Sequence, residues 1–144
     1  MRAHAAVVVL LVLPLAACGG GLSKAELVAK GDAICTRVNK QIAKEPEPVN
    51  TADLEKLAKK TLAISDPAIK DMEALEPPDE LKQDFGRFVA ILKQQRELTR
   101  QIGEAAGKGD TAKIQEVGNA AGKAQTKYRQ LSDKIGFKEC GGVN

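Results

Sequence analysis

Residues 114–135 read IQEVGNAAGKAQTKYRQLSDKI, and the spacing inside this stretch decides the fold. Ile114, Val117, Ala121, Ala124, Tyr128, Leu131 and Ile135 follow one another in alternating steps of three and four. That is a seven-residue repeat, which draws one narrow apolar seam along a helix and asks for partner helices of the same kind. The chain upstream supplies three of them. Gly107-Lys108-Gly109 ends the helix before, and Asp110 caps the one just described. The helix before carries Leu81, Phe85, Phe88, Leu92, Gln95, Thr99, Ile102 and Ala106 on one stripe, broadened by Val89 and Ile91. Glu76-Pro77-Pro78-Asp79-Glu80 introduces it as a turn followed by an acidic first helical turn, which suits the helix dipole.

Further upstream, Leu54, Leu57, Thr61, Ile64, Ala68, Met72 and Leu75 mark another helix, capped by Asn50 or Thr51. Asp66-Pro67 falls in its middle, so that helix either kinks or restarts there. The first helix opens on a capping box, Ser23-Lys24-Ala25-Glu26, and continues through Leu27, Val28, Gly31, Ile34, Cys35, Val38 and Ile42 to near Lys44. Pro46 and Pro48 then forbid its continuation. β-Branched alternation is absent. The expected fold is all-α: an antiparallel four-helix bundle stapled by one disulfide, with helices of roughly 22 to 30 residues.

The whole chain has 144 residues, one domain's worth, with 43% hydrophobic and 28% charged residues, the composition of an ordinary folded protein. Aromatic residues are only 3%, there is no Trp, and the single histidine is His4.

The N-terminus reads as an address. Arg2 and His4 form a short basic region, and Ala5 to Ala17 carries no charge. As a helix this run would span only ~20 Å, short of a ~30 Å hydrocarbon core, so a signal peptide fits better than a retained membrane helix. Leu15-Ala16-Ala17-Cys18, followed by Gly19-Gly20-Gly21, resembles the lipobox of bacterial lipoproteins. The resemblance implies cleavage after Ala17 and a diacylglyceryl thioether on Cys18, which becomes the mature N-terminus; an ordinary secretory signal cleaved nearby is the alternative. The domain plan is then a signal peptide over 1–17, a lipid-anchored tether over 18–22 and a helical bundle over 23–144. The mature chain is expected on the extracytoplasmic face of the cell membrane, held by the lipid on Cys18. With the capped first helix, its cysteine, the Glu76–Glu80 turn and Cys140-Gly141, the mature chain as a whole is similar to small, helical, two-cysteine bacterial lipoproteins. That likeness implies location and fold and no activity.

Processing leaves a net charge of about +2 and no histidine. Ser–His and Cys–His nucleophile systems and His-containing zinc sites are thereby excluded. Cys35 and Cys140 remain in an oxidising compartment, where a pair is most simply a disulfide rather than two free thiols or metal ligands. Closing a loop of ~100 residues is worth ~4.7 kcal/mol in the chain-entropy model. In an up-down bundle, Cys35 lies ~18 Å into the first helix. Either the tail from Gly136 to Cys140 folds back along that helix, or the helix overhangs the bundle.

Groups able to carry function are few. Lys56, Lys59 and Lys60 form the single basic cluster, read as a solvated face with anionic headgroups as the alternative. Nucleic-acid binding is not expected, since basic stripe and aromatic platforms are both missing. Glu73, Glu76, Asp79 and Glu80 are read as a solvated acidic face, without calcium-loop spacing. Gln95 and Thr99 sit on an otherwise apolar seam and would either make a buried hydrogen bond, mark an exposed edge of the stripe, or line a small pocket inside the bundle. Gly118, Ala121 and Gly122 make the fourth helix smooth, for close approach of an adjacent helix or as a groove for a ligand or partner. No catalytic residue, metal or cofactor is expected. The leading expectation is a non-enzymatic interaction module with an envelope protein as partner; the alternative is a small-ligand or lipid carrier with a pocket between helices.

Overall fold

A computed structural model describes residues 21–141. The expected signal peptide, Cys18 and the first residues of the tether lie outside the described residues.

Four helices make the fold: α1 (Lys24–Ile42), α2 (Thr51–Glu73), α3 (Lys82–Gly107) and α4 (Thr111–Ile135). Their caps are those of the sequence. The Ser23 hydroxyl accepts from the Glu26 amide at 3.3 Å while the Glu26 carboxylate accepts from the Ser23 amide at 2.8 Å. Asn50, rather than Thr51, caps α2 by accepting from the Asp53 amide at 2.9 Å, and Asp110 caps α4 from Lys113 at 2.9 Å. α2 neither breaks nor restarts; it runs through Pro67 as one helix. A 3-10 turn over Asp79–Leu81 leads into α3.

Cross-helix pairs fix the topology. Arg37 pairs with Asp71 and Lys60 with Glu45, so α2 runs antiparallel to α1. Asp66–Arg96 and Glu73–Lys93 set α3 against α2 in the same way, and Gln95–Gln125 with Asp84–Lys134 set α4 against α3. The result is an up-down-up-down bundle, joined from Cys35 to Cys140 by a disulfide with the Cα atoms 5.1 Å apart.

The tail does fold back along α1. Gly136 reverses the chain with a φ of 102°, a left-handed conformation that suits glycine, and the Gly136 and Phe137 amides both donate to the Ser132 carbonyl. Phe137 then drops into the core, the Lys138 and Glu139 amides donate to the Asp32 carboxylate at 2.9 Å, and the Asn39 amide donates to the Glu139 carbonyl at 3.0 Å. The tail reaches Cys35 by running up α1, and it lies so close that a Cβ on Gly31 would overlap the Phe137 ring.

The core falls into two clusters. Leu27, Met72, Phe85, Phe88, Tyr128, Ile135, Phe137 and the disulfide form the larger; Leu98, Val117 and Ala124 form the smaller. Ala68, Met72, Leu81, Phe85, Phe88 and Ala106 of the expected stripes are buried; Ala58, Ile69, Leu98 and Ala105 beside those stripes are buried too, while Leu54, Leu57, Ile64, Leu92 and Ile102 are only half-buried. Beyond the end of α1, α2 and α3 lie close together: a Cβ on Gly103 would stand 2.9 Å from the Ala58 Cβ.

Candidate functional site

Between the two core clusters the bundle is not filled. A cleft of about 570 Å³ opens to solvent there, reached by all four helices. One wall is α1 and α2, with Ile34, Val38, Ile42, Thr61, Ser65, Ile69 and Met72. The other is α3 and α4, with Leu92, Gln95, Arg96, Thr99, Ala121, Gly122 and Gln125. Tyr128 and Cys35 lie at its aromatic-core end. Such a volume is within the ~300–1,000 Å³ range of small-molecule sites, and the lining is apolar with few polar groups, as those sites usually are.

The sequence candidates separate here. Gln95, Thr99, Ala121 and Gly122 meet in this cleft. Gly118 does not; it borders a second, more open hollow with Val49, Leu54 and Ile114. The smooth stretch of α4 meets α3 through its alanines, Ala124 being buried with Leu98 while Ala120 and Ala121 pack beside it, and not through its glycines. A Cβ at Gly118 or Gly122 would meet nothing within 4 Å, so neither glycine serves close packing. The glycines that do so are Gly31 and Gly103.

The cleft's polar groups are mostly tied down. Gln95 Nε2 donates to Gln125 Oε1 at 2.7 Å, joining α3 to α4. The Thr99 hydroxyl donates to the Gln95 carbonyl at 2.9 Å and the Ser65 hydroxyl to the Thr61 carbonyl at 2.7 Å, the back-bonds usual for such residues inside helices. Arg96 holds Asp66 with two nitrogens, at 2.6 and 3.1 Å. This grip keeps the Asp66 carboxyl below its ordinary range and raises the guanidinium further. Tyr128 is the loosest. Its hydroxyl has only the Cys35 sulfur, 3.7 Å away, and burial pushes the phenol well up, so it stays a neutral donor.

Gln125, Arg96 and Ser65 escaped the sequence reading. Gln125 follows the seam residue Ala124 and meets Gln95 across the α3–α4 contact. Neither the seam nor its period singles it out.

The other candidates are ordinary surface or core. Lys56, Lys59 and Lys60 each face an acid, in Asp53, Glu55 and Glu45. Glu73 pairs with Lys93 and Asp79 with Lys82, and among the described residues no cluster suits a metal ion. Ser132 is fully buried and its hydroxyl has no partner. Among the described residues no helix is long and apolar enough to cross a membrane.

No protein-family model matches the chain, and comparison with curated proteins and with solved structures returns no significant match.

Proposed function

We propose that the protein is a lipid-anchored, extracytoplasmic binding protein without enzymatic activity, and that the cleft between its four helices holds a small, mostly apolar molecule. The cleft itself carries this reading. An open cleft of about 570 Å³ with a mostly apolar lining has the size and character of small-molecule sites. A continuous alanine-lined core would instead have favoured the plain interaction module.

The anchoring half of the proposal comes from the lipobox at Leu15–Cys18. Four residues after that cysteine the chain is already fixed to the bundle: the Leu22 amide donates to the Glu76 carbonyl at 2.8 Å, and Leu22 packs on the larger core cluster. A lipid on Cys18 would therefore suspend the bundle from its tail-bearing end by only a few residues. The non-enzymatic half is supported by the lack of histidine after residue 4 and by carboxylates already paired with lysines and arginines.

Native mass spectrometry of the protein taken from its own membrane in mild detergent tests the proposal. The expected result is a small-molecule adduct that leaves on denaturation. A complex with another polypeptide and no adduct would replace the ligand-binding reading with the interaction module.

A further inference from the structure

We infer that Tyr128 orients the cleft's ligand: an apolar molecule with a carbonyl group, of the ester or ketone kind, which turns inward to accept from the Tyr128 hydroxyl. The inference rests on the reading of the cleft as a binding site and names the residue that decides what enters and which way round.

Among the residues lining the cleft, Tyr128 is the polar side chain that the fold buries and leaves poorly partnered. It is 8% exposed, its ring stacks on Phe88 with centroids 5.1 Å apart, and it borders the cleft beside Cys35. Among the described residues its hydroxyl meets only the Cys35 sulfur, 3.7 Å away. That sulfur is bonded to Cys140 and has no proton, so Tyr128 is the donor, and its acceptor is a weak one. Burial, with the Asp32 carboxylate behind it, pushes the phenol up, so the proton stays on the oxygen. A buried donor without a good acceptor costs free energy, and a ligand oxygen that takes the bond removes that cost.

The other polar groups make no comparable demand. The Ser65 and Thr99 hydroxyls donate to carbonyls of their own helices. Gln95, Gln125 and Arg96 are only half-buried at an open cleft, so solvent can serve the donors that their mutual and Asp66 bonds leave over. Ser132, the other poorly partnered hydroxyl, is wholly buried and does not line the cleft.

The surroundings of Tyr128 select the chemistry of the acceptor. Ile34, Met72 and Leu92 pack with it at this end of the cleft, and their side chains hold no oxygen or nitrogen. An alcohol or amide would bring a proton of its own with nothing there to accept it; an ester or ketone brings none. The apolar body then follows the α1 wall, which runs from Ile34 to Ala43 with a helical rise of about 13 Å. Val38 and Ile42 flank it, and each CH₂ buried there adds to affinity.

The test uses the full chain in its own membrane and two photoreactive probes. Both are ten-carbon chains with a diazirine at one end. One carries a methyl ketone at the other end; its control has a methylene in place of the carbonyl. Crosslinks are mapped to peptides by mass spectrometry and normalised to membrane-bound probe. The ketone probe is expected to label the cleft about tenfold more than its control, a factor corresponding to ~1.4 kcal/mol. Its label is expected near Ile42 and Ala43, the end remote from Tyr128. Tyr128→Phe removes the hydroxyl and keeps the ring, and is expected to bring the two probes level and spread the label along the cleft. Unchanged labelling by the control probe shows that this variant keeps its cleft. Gln95→Leu with Gln125→Leu removes both partners of the amide pair together and is expected to leave the ketone preference in place. Three results would overturn the inference and leave the cleft as a site: equal labelling by both probes in the parent, as when water serves the phenol; a preference that survives Tyr128→Phe; or one lost with the glutamine pair. No labelling of the cleft by either probe would overturn both.

Discussion

The tail-bearing end of the bundle and the opposite end are built differently. At the first, four aromatic rings lie with centroids 5.1 to 6.5 Å apart, Leu27 and Ile135 are wholly buried, and a disulfide and a returning tail close the gap between α1 and α4. At the second, the core is Leu98, Val117 and a set of alanines, and α1 has already ended. Small side chains let α2 and α3 approach closely, as Gly103 does on Ala58, but they cannot span the space between four helices. The tail acts as a fifth packing element. α3 packs along both α2 and α4, whereas α1 rests chiefly on α2 and is held to α4 through the tail. Beyond Cys140 that support stops, and the cleft begins where it stops. The hollow is thus a consequence of where the bulk was spent in the sequence.

The largest expected effect breaks the contrast by loosening the closed end. Reducing the Cys35–Cys140 bond, or replacing both cysteines with alanine, releases a loop of about 100 residues and should cost about 4–5 kcal/mol in unfolding free energy. Urea denaturation with and without reductant measures it. A loss below ~1 kcal/mol would mean that Asp32 and Phe137 hold the tail unaided.

Next comes a paired comparison. Phe88 is fully buried among three other rings, so Phe88→Ala should cost about 3–5 kcal/mol. Leu98, at 9% exposure in the thinner cluster, sits where neighbours can collapse, so Leu98→Ala should cost nearer ~2 kcal/mol. Equal costs would dissolve the distinction between the two ends.

Gly31→Ala sharpens it further. The added methyl meets the Phe137 ring, itself wedged against Phe85 and Phe88, and should cost about 2 kcal/mol by overpacking. A melting temperature unchanged from the parent would show that the tail can lift away without penalty.

Much of this was legible in the sequence, and what was not has a physical reason. Capping at Ser23, Asn50 and Asp110 is a local hydrogen-bond pattern, readable from four consecutive residues. The heptad seam of α4 gave Val117, Ala124, Tyr128 and Ile135 because period alone selects a face. Burial of Ala58 and Leu98 depends on how α2 and α3 face each other, which the period of neither helix states alone. Passage of α2 through Pro67 was undecidable locally, since an Asp-Pro pair serves equally as a restart. Gln95 and Thr99 stand out as polar groups on an apolar stripe, and Ala121 and Gly122 as small ones that could admit a helix or form a groove; Gly122 lines the cleft and packs against no helix. Smoothness in a sequence shows that a helix can be approached; only the arrangement of the others shows whether one comes.

The smallest effect runs the other way. Gly118 and Gly122 sit inside α4, have ordinary helical φ, and face open space. Glycine in a helix interior costs roughly 0.5–1 kcal/mol relative to alanine, through the freedom it loses on folding. Gly118→Ala and Gly122→Ala should each therefore stabilise the protein by that amount, seen as a raised denaturation midpoint with unchanged slope. The two are not equivalent for binding. Gly122 lines the cleft and Gly118 does not, so only the former should also weaken capture of an apolar ligand. A stabilising Gly122→Ala that leaves binding intact would place the ligand against α1 and α2 alone. Destabilisation by either would mean that α4 is approached by something beyond this chain, and the open half of the bundle would then be an interface rather than a container.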